Sequence, residues 1–170
     1  MEPGLVTQDA EIESCRGWVG REEERRDTVT AAPLAALSAL LDRDDPPPRA
    51  GDPAPPLAHW LYFLPSYRQS AAGADGHAAR GEFLPPVPLP RRMWAGSQFE
   101  FHKPLLIGDA LTRTSTIADV TEKSGRTGPL VFVKVRHEIR RNDAIRQCDS
   151  CQRILYFVVP SAAAQSSQPS

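Results

Sequence analysis

The chain has 170 residues and a formal net charge of -1, from 20 basic and 21 acidic side chains. Hydrophobic residues make up 41% and charged residues 24%, the make-up of a soluble globular protein with enough chain for one ordinary core. This balance speaks against bulk electrostatic capture of nucleic acid, and no apolar run reaches the length of a membrane span.

The opening MEPGLVTQDAEIES has neither the basic nor the apolar region of an export signal. Cys15, Cys148 and Cys151 form an odd set, expected reduced in a cytoplasmic setting. A short strand or turn is expected at Trp18 and Val19, followed by a charged stretch, GREEERRD. AAPLAALSALLD then places Leu34, Leu37, Leu40 and Leu41 at three- and four-residue spacing, with Thr30 or Thr28 as cap and Pro33 in the first turn. The pattern predicts one apolar helix over 30–42, buried on most sides, with Leu37 in the core. RDDPPPRAGDPAPP ends it as a stiff, extended surface loop.

LAHWLYFLPSYRQS is apolar and aromatic, and periodicity does not decide between strand and helix. AAGADGHAARG is small and glycine-rich, a flexible loop. GEFLPPVPLPRRMW follows, too rich in proline for a core strand and too apolar for a free linker. It is expected to cross the end of a sheet, stiffened by Pro85, Pro86, Pro88 and Pro90.

Four strands are then expected. SQFEFHKPL alternates, with Phe99 and Phe101 on one face and His102 on the other. DALTRTSTIADVTEKSG is β-branched and rich in threonine. PLVFVKVRHEIRRND puts Val131, Val133, Val135, His137 and Ile139 on one face. AIRQCDSCQRILYFVVP is the last. The domain is expected to occupy 1–160, and the polar tail over 161–170 to be disordered. The class is α+β, with two arrangements open. One is a single hot-dog fold, an antiparallel sheet wrapped around one central helix. The other is a small sandwich with the helix on one face. A lone hot dog leaves a sheet edge of the Leu130 to Ile139 type unpaired, which a second copy or a catalytic hot dog would cover.

PPLAHWLYFLP, GADGHAARGEFLPPVPLPRRMWAGSQFEFHKPLLIGD and GPLVFVKVRHEI resemble the N-terminal hot-dog half of the MaoC-like acyl-CoA dehydratases, of the mesaconyl-C4-CoA and itaconyl-CoA hydratase type. The likeness runs from about Gly17 to Ile139 and weakens beyond. It implies two hot dogs side by side, on one chain or two. It implies reversible addition of water across the double bond of an enoyl thioester, by general acid and base with backbone polarisation of the carbonyl. In that family the acid/base Asp and His sit in the C-terminal hot dog, in a pattern resembling Gly-Asp-x-Asn-Pro-x-His. Here GDALTRT offers Gly108 and Asp109 without the Asn-Pro and His, so no complete pair carries over. The resemblance therefore implies a non-catalytic, substrate-binding or structural half of a hydratase or dehydratase (a lyase), paired with itself or with a catalytic hot dog. The alternative is a stand-alone acyl-thioester-binding module, or an inactive paralogue without turnover. No cofactor is expected beyond the acyl-CoA or acyl-carrier thioester itself.

Substrate contacts are expected from Arg91 and Arg92, whose forks match the phosphates of coenzyme A, unless they are merely solvated. Trp94, His59 and Trp60 are further candidates, each with a plain packing role as its rival. Asp75 and His77 are the weak candidates for acid/base work. They lie two apart in a loop where Asp equally serves a turn. His137 belongs with the valine face as a core or interface histidine. CDSC lacks the second pair of ligands a structural zinc needs and the helix start a redox pair needs, so no metal site is expected.

Overall fold

The structure, a computed structural model, describes residues 8–73, 76–89, 92–125, 128–141, 149–151 and 155–160. Asp75, Arg91, Cys148 and the 161–170 tail lie outside the described residues.

Two long strands form the spine. β3 (Ala110–Gly125) and β4 (Gly128–Arg141) pair antiparallel along their whole length. The valine alternation works as its period demands: Val131, Val133, Val135 and Ile139 are buried on one face. On β3, Leu111, Ser115 and Ile117 face the same way, and a register shift between Ile117 and Asp119 then brings Val120 onto that face. The extra residue of a bulge changes the parity, so the apolar face continues past it.

β1 (Glu22–Thr28) is the stretch EEERRDT, expected only as a charged run. It holds no apolar residue, and its strand state comes from pairing with β3, not from propensity. Its inward positions are charged but engaged. Arg25 donates two 2.9 Å bonds to Glu23, and Asp27 accepts the Phe63 backbone N–H at 2.6 Å. Charge of this kind protects a sheet edge.

The sheet order is β1-β3-β4-β6-β2, with β2 at Met93–Ser97, β6 at Leu155–Pro160, and β5 (Asp149–Cys151) also on β4. All pairings among the described strands are antiparallel. Two expectations change. The strand expected over 97–105 is displaced to Met93–Ser97, because Phe99 and Phe101 stack on each other and on neighbouring rings instead of joining a strand. β4 is not an unpaired edge, since β3 lies on one side and β5 and β6 on the other; β1, β2 and the short β5 edge the described sheet.

The helix α2 (Ala31–Leu40) forms where the leucine spacing put it. Its burial is less than expected. Leu34 is buried, Leu37 is half-buried, and Leu40 is 81% exposed. The sheet face is covered by other segments. One apolar cluster joins Val120, Val131, Val133 and Val135 to Ile12 and Cys15 of α1 (Gln8–Cys15) and to Val87 and Leu89. The other joins Leu111 and Ile139 to Leu34, Val29, Ile107, Tyr62 and Phe63. The proline-rich crossover is therefore core, not a bridge over it. Arg80 holds it down, donating from Nη1 to the carbonyls of Val87 and Leu89 at 2.6 Å each.

Candidate functional site

The segment 57–63 is a short 3-10 turn, Ala58–Leu61, between two residues in the left-handed region, Leu57 (φ 70°) and Phe63 (φ 56°). Bulky residues adopt this conformation only when their surroundings over-determine it, at a cost of about 1–3 kcal/mol each. The ties are visible. Asp27 holds the Phe63 N–H, and the Tyr62 hydroxyl donates to the Thr30 carbonyl at 2.6 Å. The turn is thus clamped from below while His59 and Trp60 project from it.

Those two rings meet the chain leaving β2. Trp60 stands edge-on to His59 (5.8 Å between centroids), to Phe99 (5.7 Å) and to Trp94 (6.1 Å); Phe99 stacks on Phe101. Trp60 and Trp94 are each about half exposed, at 48% and 58%. Aromatic pairs add about 0.5–1.5 kcal/mol each, enough to fix the wall while its outer faces stay open. Trp94 is further oriented by its indole N–H, which donates to Ser97 Oγ at 3.1 Å. Beside the wall opens a cavity of about 230 Å³, lined by His59, Leu57, Phe101, His102, Lys103 and Leu105 among others, and reaching the sheet at Ile139.

Beneath the wall the core is not apolar. Between the two apolar clusters, a belt of polar side chains crosses three strands. Glu23 on β1 pairs in register with Ser115 on β3, and Ser115 with His137 on β4. Ser115 Oγ and His137 Nδ1 share a 2.8 Å hydrogen bond. Arg113 lies one inward position along β3, its guanidinium 5.0 Å from the Phe63 ring centre and 3.8 Å from Glu23. Burial pushes the His59 and His137 pKa values down to about 4, helped by the neighbouring positive charge of Arg113. Both rings are neutral at pH 7.

The residues picked out in the sequence divide accordingly. His59, Trp60 and Trp94 converge on one surface. Arg92 is half-buried and donates from Nη2 to the Ala78 carbonyl at 3.2 Å. His77 is exposed, in a loop closed by Gly73 N–H to the His77 carbonyl (2.7 Å), with Gly76 at φ 75° making its bend. His102 faces Glu100 at 3.5 Å on the cavity rim. Phe99, Arg113 and Ser115 were missed. The signal was an arginine and a serine in step with Leu111 and Ile117, on a strand whose other inward residues are apolar. Among the described residues, no cluster of three or more His, Cys, Asp or Glu side chains could hold a metal ion, and no helix is long and apolar enough to cross a membrane.

Comparison with known proteins fits this picture. Residues 57–170 match the family model described as hydroxyacyl-thioester dehydratase type 2. Over 152 residues, 89% of the chain, the sequence is 41% identical to the mesaconyl-C(4)-CoA hydratase of Chloroflexus aurantiacus. The match covers 54% of that protein, so the chain spans about half the length of the curated relative it matches. Among solved structures it resembles the ChsH1-ChsH2 complex of Mycobacterium tuberculosis, with a TM-score of 0.61 at 14% identity over 91% of this chain and 96% of that one. It also resembles the C-terminally truncated HadBC complex, a 3R-hydroxyacyl-ACP dehydratase of the same organism, with a TM-score of 0.50 at 15% identity over 82% and 96% of the two chains. The fold is a single hot dog of the MaoC-like dehydratase kind. With the antiparallel sheet in place, the match over residues 57–170 and the 41% identity lead to one assignment: the chain belongs to the type 2 hydroxyacyl-thioester dehydratase family.

Proposed function

We propose that this chain is the substrate-binding half of an enoyl-CoA hydratase or 3-hydroxyacyl-thioester dehydratase, acting in the cytoplasm with a second hot dog that supplies the catalytic Asp and His. The observation that carries this is the clamped, half-exposed wall of His59, Trp60, Trp94 and Phe99 beside an apolar cavity. The wall offers open ring faces to a ligand, and burial lowers the pKa of its histidine to about 4. The length relation to the curated relative supports a partner half. The acyl group enters the cavity, and Arg91 and Arg92 take phosphates of coenzyme A. No cofactor takes part.

The test is hydration of an enoyl-CoA, followed by loss of the conjugated thioester absorbance. The chain alone should give no turnover, and the chain with a catalytic half should. Turnover by the chain alone would place the acid/base pair here, with Asp75 and His77 the first to replace. Binding without turnover, even with the partner half, would identify a stand-alone thioester binder. Replacing Arg91 and Arg92 by Ala should weaken coenzyme A binding by about 1–3 kcal/mol for each charge-assisted bond lost. It should leave the acyl-pantetheine fragment unaffected, since that lacks the nucleotide phosphates.

A further inference from the structure

The inward row of β4 ends on a charge. Val131, Val133, Val135 and Ile139 are buried along it, and Arg141 is the next position on that side, its side chain only 17% exposed. It forms an ion pair with Asp109, whose side chain is 12% exposed, with Nε of Arg141 2.8 Å from Asp109 Oδ2. The same carboxylate oxygen accepts the Leu106 N–H at 2.7 Å. Another arm of the guanidinium reaches a second segment: Nη2 of Arg141 donates to the Pro104 carbonyl at 3.3 Å. One side chain therefore spans the turn at 106–109 and the chain just before it.

That chain is one wall of the cavity. His102, Lys103, Pro104 and Leu105 line one side, residues 54–59 line the other, and Ile139, one inward position before Arg141, lies where the cavity meets the sheet. The side that carries His59 is clamped through Asp27 and Tyr62. The facing wall is less embedded. Residues 101–104 are exposed, and Pro104 has no N–H to give, so its carbonyl is the handle left to hold. Further along, Gly108 (φ 102°) bends the chain so that its N–H donates to Val29 at 2.8 Å and the Asp109 carbonyl accepts from Val29 at 2.9 Å. Arg141 thus ties the exposed part of this loop to its firm part.

We propose that Arg141 is a positioning residue for the cavity: latched to Asp109, it holds the 102–105 wall at its distance from His59. Gly108 and Asp109, the part of the acid/base pattern that this chain keeps, serve the latch and not proton transfer. This rests on the reading of the cavity as the acyl site. The planar guanidinium fork can engage two acceptors on different segments at a fixed angle, which the point charge of a lysine cannot. A binding wall is effective only when supporting groups hold it to within about 0.5 Å.

The test measures the acyl increment, the ratio of butyryl-CoA to coenzyme A affinity, by titration calorimetry on the whole chain. The wild type should bind butyryl-CoA about tenfold more tightly or better, since only that ligand buries an acyl chain. Arg141→Gln and Asp109→Asn should each bring the ratio most of the way to unity and leave coenzyme A binding unchanged, because the nucleotide lies outside the cavity. The double variant should do no worse than either single one, as two residues of one latch act together. Arg141→Lys keeps the ion pair and loses the fork. It should give an intermediate ratio, and it replaces the Gln variant if that one fails to fold. A ratio that stays at the wild-type value in the folded variants would overturn the latch alone. So would an equal loss for the two ligands, which is what a residue that only stabilises the fold would cause. Equal affinity of the wild type for the two ligands, or binding of neither, would overturn the acyl-site reading together with it.

Discussion

Replacing Leu111 by Asp should leave the chain unfolded in buffer at neutral pH. Leu111 has no exposed surface and joins β3 to the cluster of Leu34, Val29, Ile107 and Ile139. A carboxylate there would be desolvated with no partner placed for it. That costs several kcal/mol against a total stability of about 5–15 kcal/mol for an ordinary domain. The milder Leu111→Ala should fold but lose about 2–5 kcal/mol. Leu40→Ala, at a leucine that is 81% exposed, should change stability by no more than about 0.5 kcal/mol. Urea unfolding followed by circular dichroism separates the three. A helix buried along its length would make Leu40 costly, so a large loss at Leu40 would contradict the packing described.

Acid should destabilise the fold earlier than its carboxylates require. His59 and His137 have pKa values of about 4 in the folded chain and about 6.5 when unfolded. Between these values the unfolded chain binds more protons. Their contribution is therefore complete above pH 6.5 and is lost as pH falls from about 6.5 to about 4. Both are buried by the same belt beside Arg113. Allowing for screening at the half-exposed His59, the pair is worth on the order of 2–4 kcal/mol. The melting temperature should drop across that window. His137→Gln, whose amide can keep the bond to Ser115, should flatten the drop by about half. A melting temperature constant from pH 7 to 4.5 would mean that neither ring is held neutral.

What could be read from the chain alone followed from pattern. The β3–β4 pair announced itself by threonine content and a clean valine alternation, and α2 by leucine spacing. His59, Trp60 and Trp94 stood out because large rings in short irregular stretches need a reason. β1 escaped because EEERRDT carries no hydrophobic signal; only its partner makes it a strand. The depth of α2 escaped because spacing fixes a helical face, not how much of it is covered. Here Val87 and Leu89, from the proline-rich crossover, cover part of the sheet. Arg113 was missed, because its neighbours Glu23, Arg25 and His59 converge on it only in three dimensions.

The belt also partitions the molecule energetically. Val120, Val131, Val133 and Val135 pack on α1 and the proline segment, while Leu111 and Ile139 pack on α2 and the clamped turn; only the β3–β4 pair belongs to both groups. Substitutions separated by such a layer, with no shared neighbours, act additively. The end that carries the cavity can therefore be altered residue by residue without repeated compensation at the other end. The half holding α1, Val87 and Leu89 serves as ballast, so the lining of the cavity can vary while the framework stays put.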